Sequence, residues 1–177
     1  MFNIGDKVVY PQHGAGTIQK IEEKNSFGEK KEYFVIQMQG DVKVAVPKDN
    51  ALSLGMREVA TKEVASKAFG VLERTEEESV YENNSSKRVK ANVDKIKTGD
   101  ICEVADVVRN LSHRRMKRGL LSTTEKKVLL TAKQILISEL VLTNNMEAES
   151  IDNMIEEKVK FSFDMGLPTD GNTIEQL

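Results

Sequence analysis

Two different rhythms of apolar and polar positions divide this chain. In the first sixty residues the apolar residues come in short runs with strand character. KVVY (Lys7–Tyr10) is a compact β-branched run. GAGTIQKIEE (Gly14–Glu23) sets Thr17, Gln19 and Glu22 on or near one side and Ile18 and Ile21 on the other. KEYFVIQM (Lys31–Met38) is rich in aromatic and β-branched residues, and VKVAVP (Val42–Pro47) alternates Val42, Val44 and Val46 against Lys43 and Ala45. FGEKK and QGD each place a glycine with polar neighbours between two such runs, which predicts turns. Strands this short and this regularly spaced predict a small antiparallel barrel.

From Thr61 onward the spacing becomes helical. Thr61 is placed to cap a helix carrying Val64, Ala68, Val71 and Leu72 on one stripe. EEESVYENNSS has no period and reads as a loop. KRVKANVDKI groups Val89, Val93 and Ile96, with Gly99 as the stop. Asp100 caps a third helix with Ile101, Val104, Ala105, Val108 and Leu111 inward. Ser122 to Glu125 has capping-box spacing ahead of the strongest amphipathic run, Val128, Leu129, Ala132, Ile135, Leu136 and Leu140. A last helix is predicted over Ser150–Lys160. The fold class is therefore β plus all-α. A barrel occupies residues 1–54, a bundle of four to five helices residues 60–162, and an acidic, flexible tail 163–177.

Composition adds a hidden asymmetry. The net charge of the 177 residues is −2, which by itself argues against a nucleic-acid binder. Residues 87–133, however, hold 13 Lys and Arg against 5 Asp and Glu, while residues 146–177 hold 2 against 8. A phosphate backbone feels local charge, so the middle segment is where such a partner would bind. Cys102 is the single cysteine, which excludes a disulfide framework and a cysteine-based metal site and fits a reducing, intracellular compartment. The opening MFNIGDKVVY lacks the features of a signal peptide, and no window is long and apolar enough to span a membrane.

The chemistry-bearing candidates are few. VVYPQHGAGTI (Val8–Ile18) lacks the Lys-Ser/Thr ending of a phosphate loop and the third glycine of a dinucleotide fingerprint. It reads as a bend between strands, with Pro11 ending one strand and Gly14 and Gly16 allowing a tight return. His13 is then an exposed turn or contact residue. His113 has no acidic neighbour in sequence and reads as a polar member of a basic helix end. No carboxylate pair, His/Cys cluster or nucleophile motif is present, so the chain reads as no enzyme, with no cofactor, metal or small-molecule substrate. Two basic clusters remain: SSKRVKANVDKIK, with Lys87, Arg88, Lys90, Lys95 and Lys97, and RNLSHRRMKRG, with Arg109, Arg114, Arg115, Lys117 and Arg118. Charge runs are usually solvated helix faces. Here Asn84, Ser85 and Ser86 precede the first basic turn, where helix N–H groups favour phosphate oxygens, so a phosphate-positioning surface is the competing reading.

IGDKVVYPQHGAG, GEKKEYFVI, VPKDN, KRVKANVDKIKTGDICEVADVVRNL and EKKVLLTAKQILISEL, in that order, resemble the CarD/CdnL family of bacterial transcription regulators over about residues 1–160. The resemblance implies an N-terminal Tudor-like barrel that docks on the β subunit of RNA polymerase, similar to the polymerase-interacting domain of transcription-repair coupling factors. It implies a helical domain that contacts promoter DNA, at the minor groove and phosphate backbone, beside the upstream edge of the −10 bubble and modulates the open complex. The location implied is the cytoplasm, on polymerase. The polymerase-facing edge would hold Lys24, Lys43, Val44, Ala45, Val46 and Pro47. An arginine is frequent in the family where this chain has Ala45, and Lys43 stands beside it. The DNA-facing set would be Asn84, Ser85, Ser86, Lys87, Arg88, Lys90, Arg114 and Lys126. Family members carry a tryptophan wedge where this chain has Ser85, with Tyr81 the nearest aromatic. The alternative is an adaptor that binds proteins through both halves without touching DNA.

Overall fold

The computed structural model describes residues 2–26, 29–75 and 84–166. The chain runs β1 (Lys7–Tyr10), β2 (Gly14–Ser26), β3 (Glu29–Met38), β4 (Lys43–Pro47), a 3-10 turn (Lys48–Asn50) and β5 (Arg57–Glu58). Five helices follow: α1 (Lys62–Leu72), α2 (Ser85–Thr98), α3 (Ile101–Arg118), α4 (Thr123–Asn144) and α5 (Ala148–Gly166). The strands form one antiparallel sheet in the order β4-β3-β2-β1-β5, and no ladder joins β4 to β5 among the described residues. Val8, Ile18, Phe34, Ile36, Met38, Val46, Ala51 and Met56 fill its core.

Ile18 and Ile21 are three residues apart, yet both pack toward that core. A bulge between Ile18 and Lys20 shifts the register by one residue, which restores the inward face after Gln19. Val42 departs from the predicted alternation: it precedes β4 and is 59% exposed. The sheet also takes in Arg57 and Glu58, past the Leu54 boundary, because these residues pair with Val9 and Val8.

The predicted helix caps act as the sequence implies. Thr61, Asp100 and Ser122 each accept a backbone N–H at a helix start, and Ser122 with Glu125 forms both halves of the capping box. Asn84, read from sequence as part of the loop, does the same for α2, which starts two residues ahead of the predicted Lys87. Gly99 ends α2 in the left-handed region, with φ 73°. The predicted stripes of α3 and α4 form a second core with Ala65, Ala68, Val71 and Leu72 of α1 and Ile151, Ile155 and Val159 of α5. In α1 the deep position is Ala65, while Val64 packs at the margin. The last helix continues to Gly166, so residues 163–166 belong to α5 and not to a tail. Phe27 and Gly28, most of the EEESVYENNSS loop including Tyr81, and the segment after Gly166 lie outside the described residues. Ser85 and Ser86 stand in the first turn of α2.

The two apolar cores are separate clusters, and a polar seam clamps them together. Arg57 Nη1 and Nη2 donate to Glu139 Oε1 and Oε2 at 2.6 and 2.9 Å, and the guanidinium also reaches the Gly99 carbonyl. Ala60 N donates to Glu139 Oε1 at 2.8 Å, Ala15 N to Ser138 Oγ at 2.8 Å and Lys7 Nζ to the Leu142 carbonyl at 2.8 Å. Glu139 is 1% exposed, so these donors replace its water entirely.

The VVYPQHGAGTI stretch is a bend, as its residues predict. Gly14 takes φ 96° at the return, where a side chain would be strained, and the glycines serve a second purpose besides. The turn itself uses Pro11 and Gln12: His13 N donates to the Tyr10 carbonyl at 3.0 Å, and Gln12 takes φ 68°, as the third position of a type II turn requires. Gly14 and Gly16 permit close approach. A Cβ on Gly14 would lie 2.6 Å from Ser138 Oγ of α4, and one on Gly16 would overlap the carbonyl oxygen of Gln37 on β3. His13 is exposed and stacks on Tyr10, with ring centroids 4.6 Å apart.

Candidate functional site

The sequence-predicted residues fall into two groups on opposite modules. On the sheet, β4 is an end strand that pairs only with β3, so one backbone edge carries no ladder among the described residues. Lys43 and Ala45 face outward and Val44 is half-buried against the sheet core. Val46 is 1% exposed and packs inward, so its side chain belongs to the core and only its backbone borders the edge. Lys24 lies on the β2–β3 hairpin beyond the end of β4. Its Nζ sits 5.7 Å from the Tyr33 ring centre, and Tyr33 is the cross-strand partner of Pro47. Lys24, Tyr33 and Pro47 therefore share one end of this edge.

On the helices, three element ends converge on one carboxylate. Glu125, in the first turn of α4, is 3% exposed. Its Oε2 accepts from Ser122 N and Oγ at 3.0 and 2.8 Å. Its Oε1 accepts from Arg88 of α2 at 2.7 Å and pairs with Arg114 of α3 at 3.4 Å. Burial pushes this carboxyl up, but the hydrogen bonds from Arg88 and Ser122 outweigh it and hold the group below its ordinary value of 4.5.

This pairing changes the roles of two predicted DNA-facing residues. Arg88 and Arg114 are first of all scaffold: they neutralise a buried acid and fix the starts of α2 and α4 against the end of α3. Asn84 likewise spends its side-chain oxygen on Lys87 N, at 3.0 Å. Lys87 and Lys90 on α2 and Lys126 on α4 are exposed and form no ion pair among the described residues. Ser85 and Ser86 are exposed in the same first turn. The predicted DNA-facing residues thus lie on α2 and its cap, the end of α3 and the start of α4, with exposed charge supplied by Lys87, Lys90 and Lys126 and charge beneath by Arg88 and Arg114.

Other members of the two basic clusters leave the surface. Arg109 is 4% exposed and bonded to Asp106, Asn110 and the Val71 carbonyl. Lys95 is bonded to Asp106 at 2.6 Å. His113 is not part of a basic helix end: its Nε2 lies 2.8 Å from Ser162 Oγ and 3.2 Å from the Val159 carbonyl, and it ties α3 to α5. Sequence reasoning missed Lys127, exposed beside Lys126, and the anchoring role of Glu125. The capping-box spacing signalled that Glu125 turns inward, but Arg88 lies 37 residues away and no local pattern links the two.

A depressed carboxyl stabilises the fold above its ordinary value and loses that contribution as pH falls through the folded-state value. Acid titration of stability is therefore expected to steepen below about pH 4.5, and Glu125→Gln to flatten that limb. The same change is expected to cost about 1–3 kcal/mol at pH 7 by leaving Arg88 and Arg114 without their anion. Denaturant melts across pH 3–7 check both.

No group of three His, Cys, Asp or Glu that could hold a metal exists among the described residues, and no helix there is long and apolar enough to cross a membrane. Two family models match in series: the CarD-like/TRCF RID domain over residues 2–60 and the CarD C-terminal domain over residues 67–156. The chain is also similar to "Putative transcription factor YdeB" of Bacillus subtilis (strain 168), at 40% identity over 152 residues, covering 85% of this chain and 97% of that protein. A small antiparallel sheet clamped to a five-helix module, matching these domains in order, defines a transcription regulator. The chain belongs to the CarD/CdnL family.

Proposed function

We propose that this protein binds the β subunit of RNA polymerase along the β4 edge and sets its cationic helical corner against promoter DNA beside the upstream edge of the −10 bubble, modulating open-complex stability. The observation that carries the reading is the placement of two unlike surfaces on one clamped body. One is a strand edge without a ladder among the described residues, with Lys43 and Ala45 outward, and the other is a corner where Lys87, Lys90 and Lys126 are exposed and form no ion pair among the described residues. An unpaired edge is a template for strand addition by a protein partner. The match to the RID domain supports that partner being polymerase. Exposed lysines at helix starts suit phosphate oxygens.

Physically the mechanism is linkage. A protein that prefers melted to closed promoter shifts that equilibrium by its differential affinity. Docking through the sheet raises the local concentration of a weak DNA contact, so a chain of net charge −2 need not find promoters unaided.

The test uses two variants of the full chain with polymerase and promoter. Lys43→Glu with Ala45→Glu is expected to abolish capture of the β-subunit lobe at unchanged melting temperature, because both side chains point outward. Lys87→Ala, Lys90→Ala and Lys126→Ala together are expected to leave that capture intact, to change open-complex lifetime and to lower the salt slope of DNA binding by roughly 2–3. Undiminished capture by the first variant removes the docking reading. An adaptor that ignores DNA, a reading favoured by the internal use of Arg88 and Arg114, is the outcome if the lysine variant leaves lifetime and slope unaltered.

A further inference from the structure

The chain between β4 and β5 presents two leucines that nothing in the described fold covers. Leu52 is 72% exposed and Leu54 is 43% exposed. Their loop is fixed at both ends, because Ala51 and Met56 are buried in the sheet core. Within it Met56 N donates to the Ala51 carbonyl at 2.9 Å, Gly55 N to the Leu52 carbonyl at 3.0 Å and Leu54 N to the Asn50 carbonyl at 2.9 Å. Ser53 Oγ adds a bond to the Asn50 carbonyl at 2.8 Å. The two side chains are therefore held in the open by a short, cross-braced turn.

Single exposed leucines are ordinary on protein surfaces, and it is position that makes this pair informative. β4 and β5 are the two ends of the sheet, and residues 48–56 carry the chain from one to the other. The 3-10 turn begins directly after Pro47, and Lys48 Nζ pairs with Glu32 of β3 at 2.8 Å. The leucines thus continue the open β4 edge past its Pro47 end. At the opposite end Val42, the residue before Lys43, is 59% exposed. An edge of five residues, about 17 Å long, is bracketed by apolar side chains. The charge beside the pair argues against a phosphate backbone as its partner. Asp49 and Glu58 are exposed and acidic, while Lys48 is engaged by Glu32 and Arg57 by Glu139.

We propose that Leu52 and Leu54 extend the polymerase-docking surface, receiving aliphatic side chains of the extended β-subunit segment that adds to β4. The proposal rests on the reading that the β4 edge docks on polymerase. In strand addition the main-chain bonds supply affinity and the side-chain contacts supply specificity. The edge alone accepts any extended segment. The leucine pair favours one that carries apolar side chains just beyond the paired stretch, and leaves a polar side chain there without a partner.

The experiment titrates core RNA polymerase, without DNA, with the full chain. The variants are Leu52→Ser, Leu52→Ser with Leu54→Ser, Leu52→Met with Leu54→Met, Leu130→Ser, and Lys43→Glu with Ala45→Glu. Because Leu52 is exposed, Leu52→Ser is expected to keep the wild-type melting temperature. It is expected to raise Kd about three- to tenfold, and the double serine change about tenfold or more. The methionine pair keeps the apolar area and is expected to bind within about twofold of wild type. Leu130, 58% exposed on α4, is the control, and Leu130→Ser is expected to bind as wild type. The serine effect is expected to be equal at low and high salt, since no charge changes. If the serine variants bind like wild type while the Lys43/Ala45 variant does not, the leucine proposal is wrong and the edge reading stands. If all of these variants bind like wild type, both fall. If the serine variants lose binding and the Lys43/Ala45 variant keeps it, the pair does not extend the edge and the proposal is overturned. A change in sedimentation of the serine variants without polymerase would mean that the pair covers a second copy of the chain, which also overturns it.

Discussion

Glu139→Ala is expected to cost about 3 kcal/mol and to lower the melting temperature by roughly 10 °C. Glu139 is 1% exposed and accepts both Arg57 Nη groups and the Ala60 N–H. Removing it strands an arginine and a backbone donor that the fold has taken out of water. Arg57 is 34% exposed and recovers part of its hydration, which keeps the cost at the low end for a broken buried pair. The loss falls on the seam, because the two apolar cores are separate clusters. Denaturant unfolding of the variant, followed separately by a probe in each module, is therefore expected to split into non-coincident transitions where the wild type gives one. Replacing both partners by apolar residues, Arg57→Met with Glu139→Leu, is expected to recover much of the stability. A single buried charge without its mate is what costs most. If Glu139→Ala melts like the wild type, the seam is not what joins the modules. The functional corollary is that a loosened seam weakens open-complex effects without touching either contact surface, because tethering works only while the geometry is held.

The second large effect is at Gly16. A Cβ there would overlap the Gln37 carbonyl oxygen and lie 2.7 Å from Ile36 Cγ2. The first obstacle is backbone of the neighbouring strand, so no side-chain rotation relieves it, and β2 and β3 must separate. Gly16→Ala is expected to destabilise by roughly 2–4 kcal/mol, a cost typical of overpacking a tight site. Gly70 is the contrast. It is exposed within α1, and an added Cβ there meets nothing within 4 Å. Gly70→Ala is expected to stabilise by about 0.5–1 kcal/mol through helix propensity and a less flexible unfolded chain. Equilibrium urea melts of the pair give opposite signs; equal signs would mean that the β2–β3 packing is looser than described.

Gly14 and Gly16 show how a motif can be read correctly and still incompletely. The bend at VVYPQHGAGTI was legible from Pro11 and its neighbours. Sequence assigned the glycines to the turn, and Gly14 does take a positive φ beside Gln12; what it did not show is that Gly14 and Gly16 also admit α4 and β3. The basic clusters divide in the same way. Composition showed the charge but could not sort Lys87, Lys90 and Lys126, which face outward, from Arg88, Arg109 and Arg114, which neutralise carboxylates within the fold. Val46 alternates with Lys43 and Ala45 as a half-buried strand should. That alternation itself places its side chain inside and away from any partner.

The sequence by itself determined the local structure: the strand runs, the caps at Thr61, Asp100 and Ser122, the stop at Gly99, and the stripes that became the helical core. These depend on residues within a few positions of one another, so spacing encodes them. Tertiary structure decided which charges are spent inside and which remain for a partner. Arg57 meets Glu139 and Arg88 meets Glu125 across 82 and 37 residues. Pairing at that range is set by how helices and strands pack, and no periodicity in the chain records it.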